Sequence, residues 1–267
     1  MRPLVMGIVN VTPDSFSDGG RFDDPTAAIE HGRALAGEGA DWVDVGGEST
    51  RPGAQPVPLA EELRRVLPVV EALAADGLAV SIDTRKGEVA RAAVAAGAQL
   101  INDVSASLGH VAAELGVAWA AMHAQGEPAT MQRDPRYHDV VGEVRDHLVA
   151  RAGAALEAGV PEVWIDPGIG FGKTTAHNLA LLAHLDELVA TGHPVLVGTS
   201  RKRFLGELAA RADGLAEPTP VHDRLEGSVA TAVWAMACGA RMIRAHDVAA
   251  TVLAAELIEA QTTAEAA

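Results

Sequence analysis

Apolar and polar positions alternate along the chain in a repeating unit. Each unit has a short run rich in β-branched residues, then a polar loop, then a stretch rich in Ala, Leu, Glu and Arg. The apolar runs predict β-strands because they are short and bounded by turn residues. Eight strands are predicted in this way: Leu4–Asn10, Trp42–Val45, Ala79–Asp83, Gln99–Asp103, Val117–Met122, Val163–Asp166, Val195–Thr199 and Arg241–His246.

The stretches between these runs carry apolar residues at helical spacing, and several end at a glycine before the next run. Six helices are predicted: Thr26–Ala36, Glu61–Ala75, Lys86–Ala96, Val140–Ala158, Thr175–Val189 and Val248–Ile258. Alternating strands and helices predict a parallel sheet. Eight strands in 267 residues predict an α/β fold of the (β/α)8 TIM barrel type, with residues 1–267 in a single domain.

A doubly wound open sheet is the alternative arrangement of the same elements. It would usually carry a glycine-rich fingerprint directly after the first strand. The segment Asn10–Asp14, which ends that strand and follows it, contains no glycine. The barrel is therefore favoured.

The net charge bears on the class of partner. Lys and Arg number 21 against 36 Asp and Glu, which gives a formal net charge of −15. This balance argues against a nucleic-acid or anionic-membrane surface, and it means that an anionic substrate needs a local basic cluster. The one cysteine, Cys238, cannot form an internal disulfide, and no signal segment or bilayer-long apolar run is seen. A cytoplasmic protein is expected.

Polar or charged residues follow every predicted strand, where a barrel forms its active site. Asp83, Asn102 and Asp166 end apolar strands, so they should point inward and be partly desolvated. Carboxylates held in this way suit a flat heterocycle with several N–H donors, because one carboxylate can accept two parallel hydrogen bonds. A structural alternative remains for Asp166, which could cap the turn before Pro167.

A second set of residues is cationic. Arg51, Lys202, Arg244 and His246, with Asn10 as a neutral oxygen donor, lie at the ends of the first, second, seventh and eighth predicted strands. Such a set predicts a phosphate or diphosphate site, which barrels often form in this region. The alternative of an ordinary surface residue is weak for Arg244, which lies inside a strand.

Three other sites are excluded or disfavoured. The segment Gly168–Thr174 resembles a phosphate-binding P-loop, but Gly168 stands one residue too close to the Gly-Lys pair. The segment Gly198–Lys202 lacks the final glycine of a nucleophile elbow, which argues against a serine hydrolase. Arg201 and Arg203 are expected to be surface residues. Several histidines show no zinc-type spacing, and most are expected to be structural or surface residues: His110, His123, His138, His177 and His222.

Taken together, these segments resemble the dihydropteroate synthase family. The resemblance runs from Met6 to about Ile258, nearly the whole chain, and the first two of its segments are long and unusual. Eight stretches carry it: Gly7–Gly20, Asp44–Gly53, Ser81–Thr84, Ile101–Val104, Met122–His123, Asp166–Lys173, Thr199–Lys202 and Arg244–Val248.

The resemblance implies condensation of 6-hydroxymethyl-7,8-dihydropterin diphosphate with 4-aminobenzoate in folate synthesis, by a homodimer that uses Mg2+ held at Asn10. It implies four catalytic residues: Asp83, Lys202, Arg244 and His246. The pterin would be held by Asp83, Asn102, Asp166 and Lys202, in a slot shaped by Met122, Phe171 and Gly198. The diphosphate would be bound by Asn10, Arg244 and His246. The aminobenzoate would be framed by Phe16, Thr50, Arg51, Pro52, Ser200 and Lys202.

Three other functions share part of this pattern. A pterin-dependent methyltransferase would share the acidic pocket but would not need the Arg244 and His246 pair. A pterin-binding paralogue without activity is disfavoured by the complete set of expected ligands. An aldolase or isomerase barrel would usually need a strand-borne lysine for a Schiff base or an acid–base pair, and Lys202 is the one candidate for the lysine.

Overall fold

The computed structural model describes residues 1–12, 25–49, 55–126 and 130–265. Within them the strands are β1 Leu4–Asn10, β2 Trp42–Gly46, β3 Val80–Asp83, β4 Leu100–Asp103, β5 Ala118–Met122, β6 Val163–Asp166, β7 Leu196–Val197 and β8 Met242–Ala245. The helices are α1 Thr26–Gly37, α2 Leu59–Ala75, α3 Gly87–Ala95, α4 Gly109–Leu115, α5 Val140–Glu157, α6 Thr175–Ala183, α7 Leu185–Val189, α8 Arg203–Ala212, α9 Leu225–Ala237 and α10 Val248–Glu265.

The strands form one parallel sheet in the order β6-β5-β4-β3-β2-β1-β8-β7. The two ends of this order meet through a bridge between Ile165 and Val195, and the amide of Ile165 donates to the carbonyl of Pro194 at 3.0 Å. The sheet is therefore a nearly closed eight-stranded barrel with helices between the strands. The fold class predicted from the sequence is confirmed.

Alternation along the strands separates two cores. A small buried cluster consists of Met6, Leu100, Ala120, Trp164, Leu196 and Met242. Their strand neighbours, such as Val5, Ile101 and Ile165, belong to a larger cluster that packs against the helices. Because side chains on a strand point to alternate faces, the small cluster fills the interior of the barrel.

The same alternation determines which polar residues reach the mouth of the barrel. Continuing two residues from the interior cluster along five of these strands, β4 to β8, leads to Asn102, Met122, Asp166, Gly198 and Arg244. These residues therefore share the inner face of the barrel, next to the carboxyl ends of the strands. Because the sheet closes into a barrel, residues that face inward on different strands lie around one common site.

The helices differ from the sequence prediction in three ways. The helical pattern did not predict α4, α8 and α9, and the helix predicted over Thr175–Val189 is divided into α6 and α7. The division falls at His184, whose φ of −116° and ψ of 33° are not helical. Two of the missed helices have weak apolar periodicity, because α4 is short and α9 has few polar residues to define a solvent face. Helix α8 is strongly amphipathic, so its pattern was present in the sequence and was overlooked. The last helix continues past the predicted end at Ile258 to Glu265.

No helix in the described parts of the chain has both the length and the hydropathy needed to cross a membrane.

Replacing Leu100 with Ala should lower the free energy of unfolding by about 2–5 kcal/mol, because Leu100 is fully buried inside the barrel and the vacated space cannot collapse. Urea denaturation followed by far-UV circular dichroism measures the change. The control is Leu156→Ala on α5, where the side chain is exposed and a change within about 0.5 kcal/mol is expected. Equal effects of the two substitutions would contradict this account of the core.

Candidate active site

The strand register brings the predicted acceptor residues together. Asp83 of β3 lies opposite Asn102 of β4, and Met122 of β5 lies opposite Asp166 of β6. Asn102 and Asp166 are buried, with 6% and 4% of their surface exposed. The sequence predicted that these residues would be inward-facing and desolvated, and the structure places them so.

Arg244 joins the two sets of residues that the sequence suggested as separate ends of a ligand site. Its Nε donates to Asp44 Oδ2 at 2.6 Å, and its Nη2 donates to Asp83 Oδ2 at 2.9 Å. Asn102 Nδ2 donates to the same oxygen of Asp44 at 3.0 Å. Because a buried charge is costly unless it is paired, this network holds the arginine inside the barrel mouth.

Burial makes both acidic acceptors harder to ionise. It raises the pKa of Asp83, the carboxylates of Asp44 and Glu62 raise it further, and Arg244 and Lys202 oppose the rise. Burial also raises the pKa of Asp166, opposed by the Gly168 amide, which donates at 2.7 Å, and by nearby cations. A ligand that brought N–H donors or positive charge would favour the ionised form of either group.

Lys202 lies over an aromatic ring at the same mouth. Its Nζ is 3.9 Å from the centre of the Phe171 ring, a cation–π distance. The loop that carries Phe171 contacts the lysine stem as well, since a β-carbon on Gly170 would lie 3.2 Å from Lys202 Cδ. The structure therefore brings Phe171 and Lys202 together, as expected for two walls of one slot.

The loops after β7 and β8 are tied to each other. Ser200 Oγ lies 3.0 Å from His246 Nδ1 and accepts from the His246 amide at 3.1 Å. Arg201 donates to both carboxylate oxygens of Asp247, at 3.1 and 2.5 Å. Arg201 is therefore a partly buried cross-link between the loops, whereas the sequence suggested an ordinary surface residue.

Four of the residues that the resemblance assigns to the aminobenzoate lie outside the described residues: Phe16, Thr50, Arg51 and Pro52. Asn10 is half-buried at the end of β1, in register with Gly46.

Several residues near the mouth were missed in the sequence. Asp44 is fully buried, and its Oδ1 has no hydrogen-bond partner among the described residues. Its place between two core valines in β2 is an alternation signal that could have revealed it. Behind Asp83, Glu62 accepts from Thr84 Oγ1 at 2.7 Å and from Lys86. The sequence carried no signal for this pairing, because the partners of Glu62 lie 22 and 24 residues away along the chain.

His123 and Lys173 form a buried pair below the mouth. Lys173 Nζ lies 3.0 Å from His123 Nδ1. Burial, followed by the positive charges of Lys173 and His147, lowers the pKa of His123 to about 3. Burial also lowers the pKa of Lys173, to about 7, against the attraction of Asp166. The expectation that His123 is structural agrees with this environment.

The resemblance implies a magnesium ion, which would need oxygen ligands at the mouth of the barrel. Within the described ranges no group of three His, Cys, Asp or Glu side chains could hold a metal. Mg2+ keeps several waters and often binds through few protein ligands together with substrate phosphates. The half-buried amide oxygen of Asn10 at the mouth fits an ion that arrives with a phosphate ligand.

These features define a class of protein. A parallel eight-stranded barrel with carboxylates, a paired arginine and a lysine at the carboxyl ends of its strands is a TIM-barrel enzyme for a small polar ligand.

Comparison with known proteins identifies the family. Residues 6–246 match the model of the pterin binding enzyme family. The dihydropteroate synthase of Mycobacterium leprae is 50% identical over 264 residues, which cover 96% of this chain and 92% of that protein. The chain belongs to the dihydropteroate synthase family of pterin-binding enzymes.

Solved structures from Xanthomonas albilineans agree. Dihydropteroate synthase with 4-aminobenzoic acid has a TM-score of 0.89 and 52% identity, covering 98% of this chain and 93% of that one. The same organism's enzyme in complex with 7,8-dihydropteroate has a TM-score of 0.85 and 48% identity, covering 98% and 94%.

We expect His123 to remain neutral between pH 5 and 8, because burial and the charge of Lys173 disfavour its protonated form. Since its folded pKa lies below the unfolded value of about 6.5, the unfolded state binds the proton first, and stability is lost as pH falls below about 6.5. Histidine NMR signals recorded against pH test this, with His123→Gln giving the assignment. An assigned midpoint near 6.5 would refute it. The exposed His184 is the internal control.

Proposed function

We propose that this chain is a transferase that condenses 6-hydroxymethyl-7,8-dihydropterin diphosphate with 4-aminobenzoate, giving 7,8-dihydropteroate and diphosphate. Its relatives are named dihydropteroate synthases, and one of them was solved with 7,8-dihydropteroate. The observation that carries the proposal is that Arg244 is bonded to Asp83 in the mouth that Asp166 also faces. Acceptors for a heterocycle and a cation for a diphosphate thus share one cavity.

The pterin would lie on the acceptor side of the mouth. Asp83, Asn102 and Asp166 would accept from its N–H groups, and Lys202 would donate to its ring oxygen or nitrogen. Met122, Phe171 and Gly198 would shape the slot. Gly198 suits this role because a β-carbon there would already be 3.7 Å from Arg244 Cβ, so the absent side chain leaves room beside the arginine.

The diphosphate would be bound by Arg244, His246 and Asn10. The guanidinium uses Nε and one Nη2 proton for its two carboxylate partners, which leaves further N–H donors for phosphate oxygens. His246 is held in place by Ser200 and so presents a fixed ring to the same region. Mg2+ bound at Asn10 with the diphosphate would neutralise charge on the leaving group.

The residues favour a dissociative substitution. Cleavage of the carbon–oxygen bond places negative charge on the diphosphate, which Arg244 and His246 stabilise. The pterin methylene then carries positive charge, delocalised into the ring, and the Asp83 carboxylate favours that charge. The weakly basic aniline nitrogen attacks afterwards, so no strong general base is required.

The aminobenzoate would lie between the loops at the top of the barrel. The family resemblance assigns it Phe16, Thr50, Arg51 and Pro52, together with Ser200 and Lys202. The structure supports the last two, since Ser200 is buried beside His246 and Lys202 stands over Phe171.

The assembly would be a cytoplasmic homodimer formed through the last two helices. Apolar side chains of α9 and α10 line one shared surface, among them Val229, Val233, Leu253 and Leu257. Leu253 and Leu257 are 62% and 64% exposed, which is unusual for contiguous leucines on a monomer. An isologous contact between two copies would bury this apolar face.

Replacing Asp83 with Ala should reduce the rate of diphosphate release at least about a hundredfold, because the developing positive charge on the pterin loses its carboxylate. Asp83→Asn keeps the shape of the side chain but removes its negative charge, so its rate of diphosphate release should be similarly low. Coupled detection of diphosphate with both substrates measures the rate. The surface variant Asp76→Asn should keep wild-type turnover. Near-normal turnover of Asp83→Ala would refute the role of this residue, and wild-type protein without turnover would refute the function.

Replacing Leu253 with Glu should convert the dimer to a monomer, because a charge would be buried at the centre of the apolar face. Size-exclusion chromatography with light scattering gives the mass. The matched control is Leu156→Glu on α5, an exposed leucine on another side of the barrel that should leave the mass unchanged. A monomeric wild type, or an unchanged mass for Leu253→Glu, would contradict the homodimer.

A further inference from the structure

Lys173 is a buried lysine that the proposed reaction does not use. Only 3% of its surface is exposed. Its Nζ contacts three carbonyl oxygens, those of His123 at 3.1 Å, Gly168 at 3.0 Å and Phe171 at 3.1 Å, in addition to the ring nitrogen of His123. A lysine enclosed in this way joins the backbone after β5 to the backbone after β6.

The two backbone segments lie unusually close at this point. A β-carbon on Gly168 would lie 1.8 Å from the carbonyl oxygen of His123, and one on Gly172 would lie 2.2 Å from that of Gln125. Both glycines have positive φ, 63° and 61°. The carbonyl groups of His123, Gly168 and Phe171 converge on one point, and a hydrogen-bond donor at that point relieves their mutual repulsion. Lys173 supplies that donor.

The segment held by Lys173 also bounds the mouth of the barrel. The amide of Gly168 donates to Asp166 Oδ1 at 2.7 Å, and the ring of Phe171 lies under Lys202 Nζ. The carbonyl groups of these same two residues are the ones that Lys173 binds. Lys173 is therefore linked to the Asp166 carboxylate through Gly168. It is linked to the Lys202 ammonium through Phe171.

The charge of Lys173 also supports Asp166 as a hydrogen-bond acceptor, as the contacts through Gly168 do. The positive charge of Lys173 favours the ionised form of Asp166, and Asp166 in turn favours the protonated lysine. The charge of Lys202 opposes protonation of Lys173. Loss of Lys173 would thus weaken the acceptor character of Asp166 as well as release the turn that orients it.

We propose that Lys173 is a positioning residue for the heterocycle end of the ligand site, acting through the Gly168 and Phe171 backbone on Asp166 and on the Phe171–Lys202 wall. The proposal rests on the proposed function, in which those groups hold the pterin. Lys173 would not touch the ligand itself. Its loss should affect binding at the pterin end of the site and leave the aminobenzoate end nearly unchanged.

The test compares Lys173→Met, which has a similar shape but no donor, with Lys173→Gln, which keeps two N–H protons. Steady-state kinetics gives KM for each substrate, and quenching of tryptophan fluorescence gives the Kd of 6-hydroxymethylpterin without turnover. Lys173→Met should raise the pterin diphosphate KM and the pterin Kd about tenfold or more, the loss expected for one charged hydrogen bond. Lys173→Gln should lie between Met and wild type, and KM for 4-aminobenzoate should change less than about threefold.

Thr174→Ala is the matched control. Thr174 caps α6 next to Lys173 by accepting from the His177 amide at 3.2 Å, so its loss loosens the same segment without removing the buried donor. Its pterin Kd should stay at the wild-type value. If Thr174→Ala raised the pterin Kd as much as the lysine variants do, Lys173 would be merely structural and the proposal would fail.

The remaining outcomes also decide the question. An unchanged pterin Kd for Lys173→Met, or an equal rise in both KM values, would overturn the proposal. If Lys173→Met does not fold, Lys173→Gln carries the same comparison. Wild-type protein that binds pterin but forms no product would refute the proposed function, while the Kd series would still decide the role of Lys173.

Discussion

The guanidinium of Arg244 inside the barrel mouth is the constraint on which the site depends. A charge in this position has to be paired, and two carboxylates from neighbouring strands, Asp44 and Asp83, provide the pairing at 2.6 and 2.9 Å. Asn102 joins the network through Asp44. Residues from four strands thus have fixed positions before any ligand arrives, and a preorganised polar site does not have to reorganise during the reaction.

The paired arginine also reconciles an acidic protein with an anionic substrate. The chain carries a formal net charge of −15, so attraction for a diphosphate has to be local. Arg244 and Lys202 provide it at the ends of β8 and β7. Asp83, one of the two carboxylates that hold Arg244, is also proposed to face the pterin, so one ion-pair network would serve both ends of the substrate.

The loop after β6 is held in place by backbone packing and not by an ion pair between side chains. Its glycines permit backbone contact that no other residue would allow, and the contact creates a need for a buried donor that Lys173 fills. The segment looked like a failed P-loop in the sequence, since its glycines and lysine have nearly that spacing. In the structure the same residues bind backbone carbonyl groups, and the positive-φ glycines serve close packing of two loops.

The sequence by itself determined the number and order of the strands and the polar residues at their ends, because short apolar runs and glycine-terminated helices are local signals. Asp83, Asn102, Asp166 and Arg244 were found in this way. Only the tertiary structure decided that Arg244 pairs with Asp44, 200 residues away, and that Lys173 is enclosed against His123. Periodicity tells which face a side chain occupies, whereas its partner depends on barrel closure and loop packing. Helices α4 and α9 were missed for the related reason that tertiary contacts, and not a strong local pattern, stabilise them.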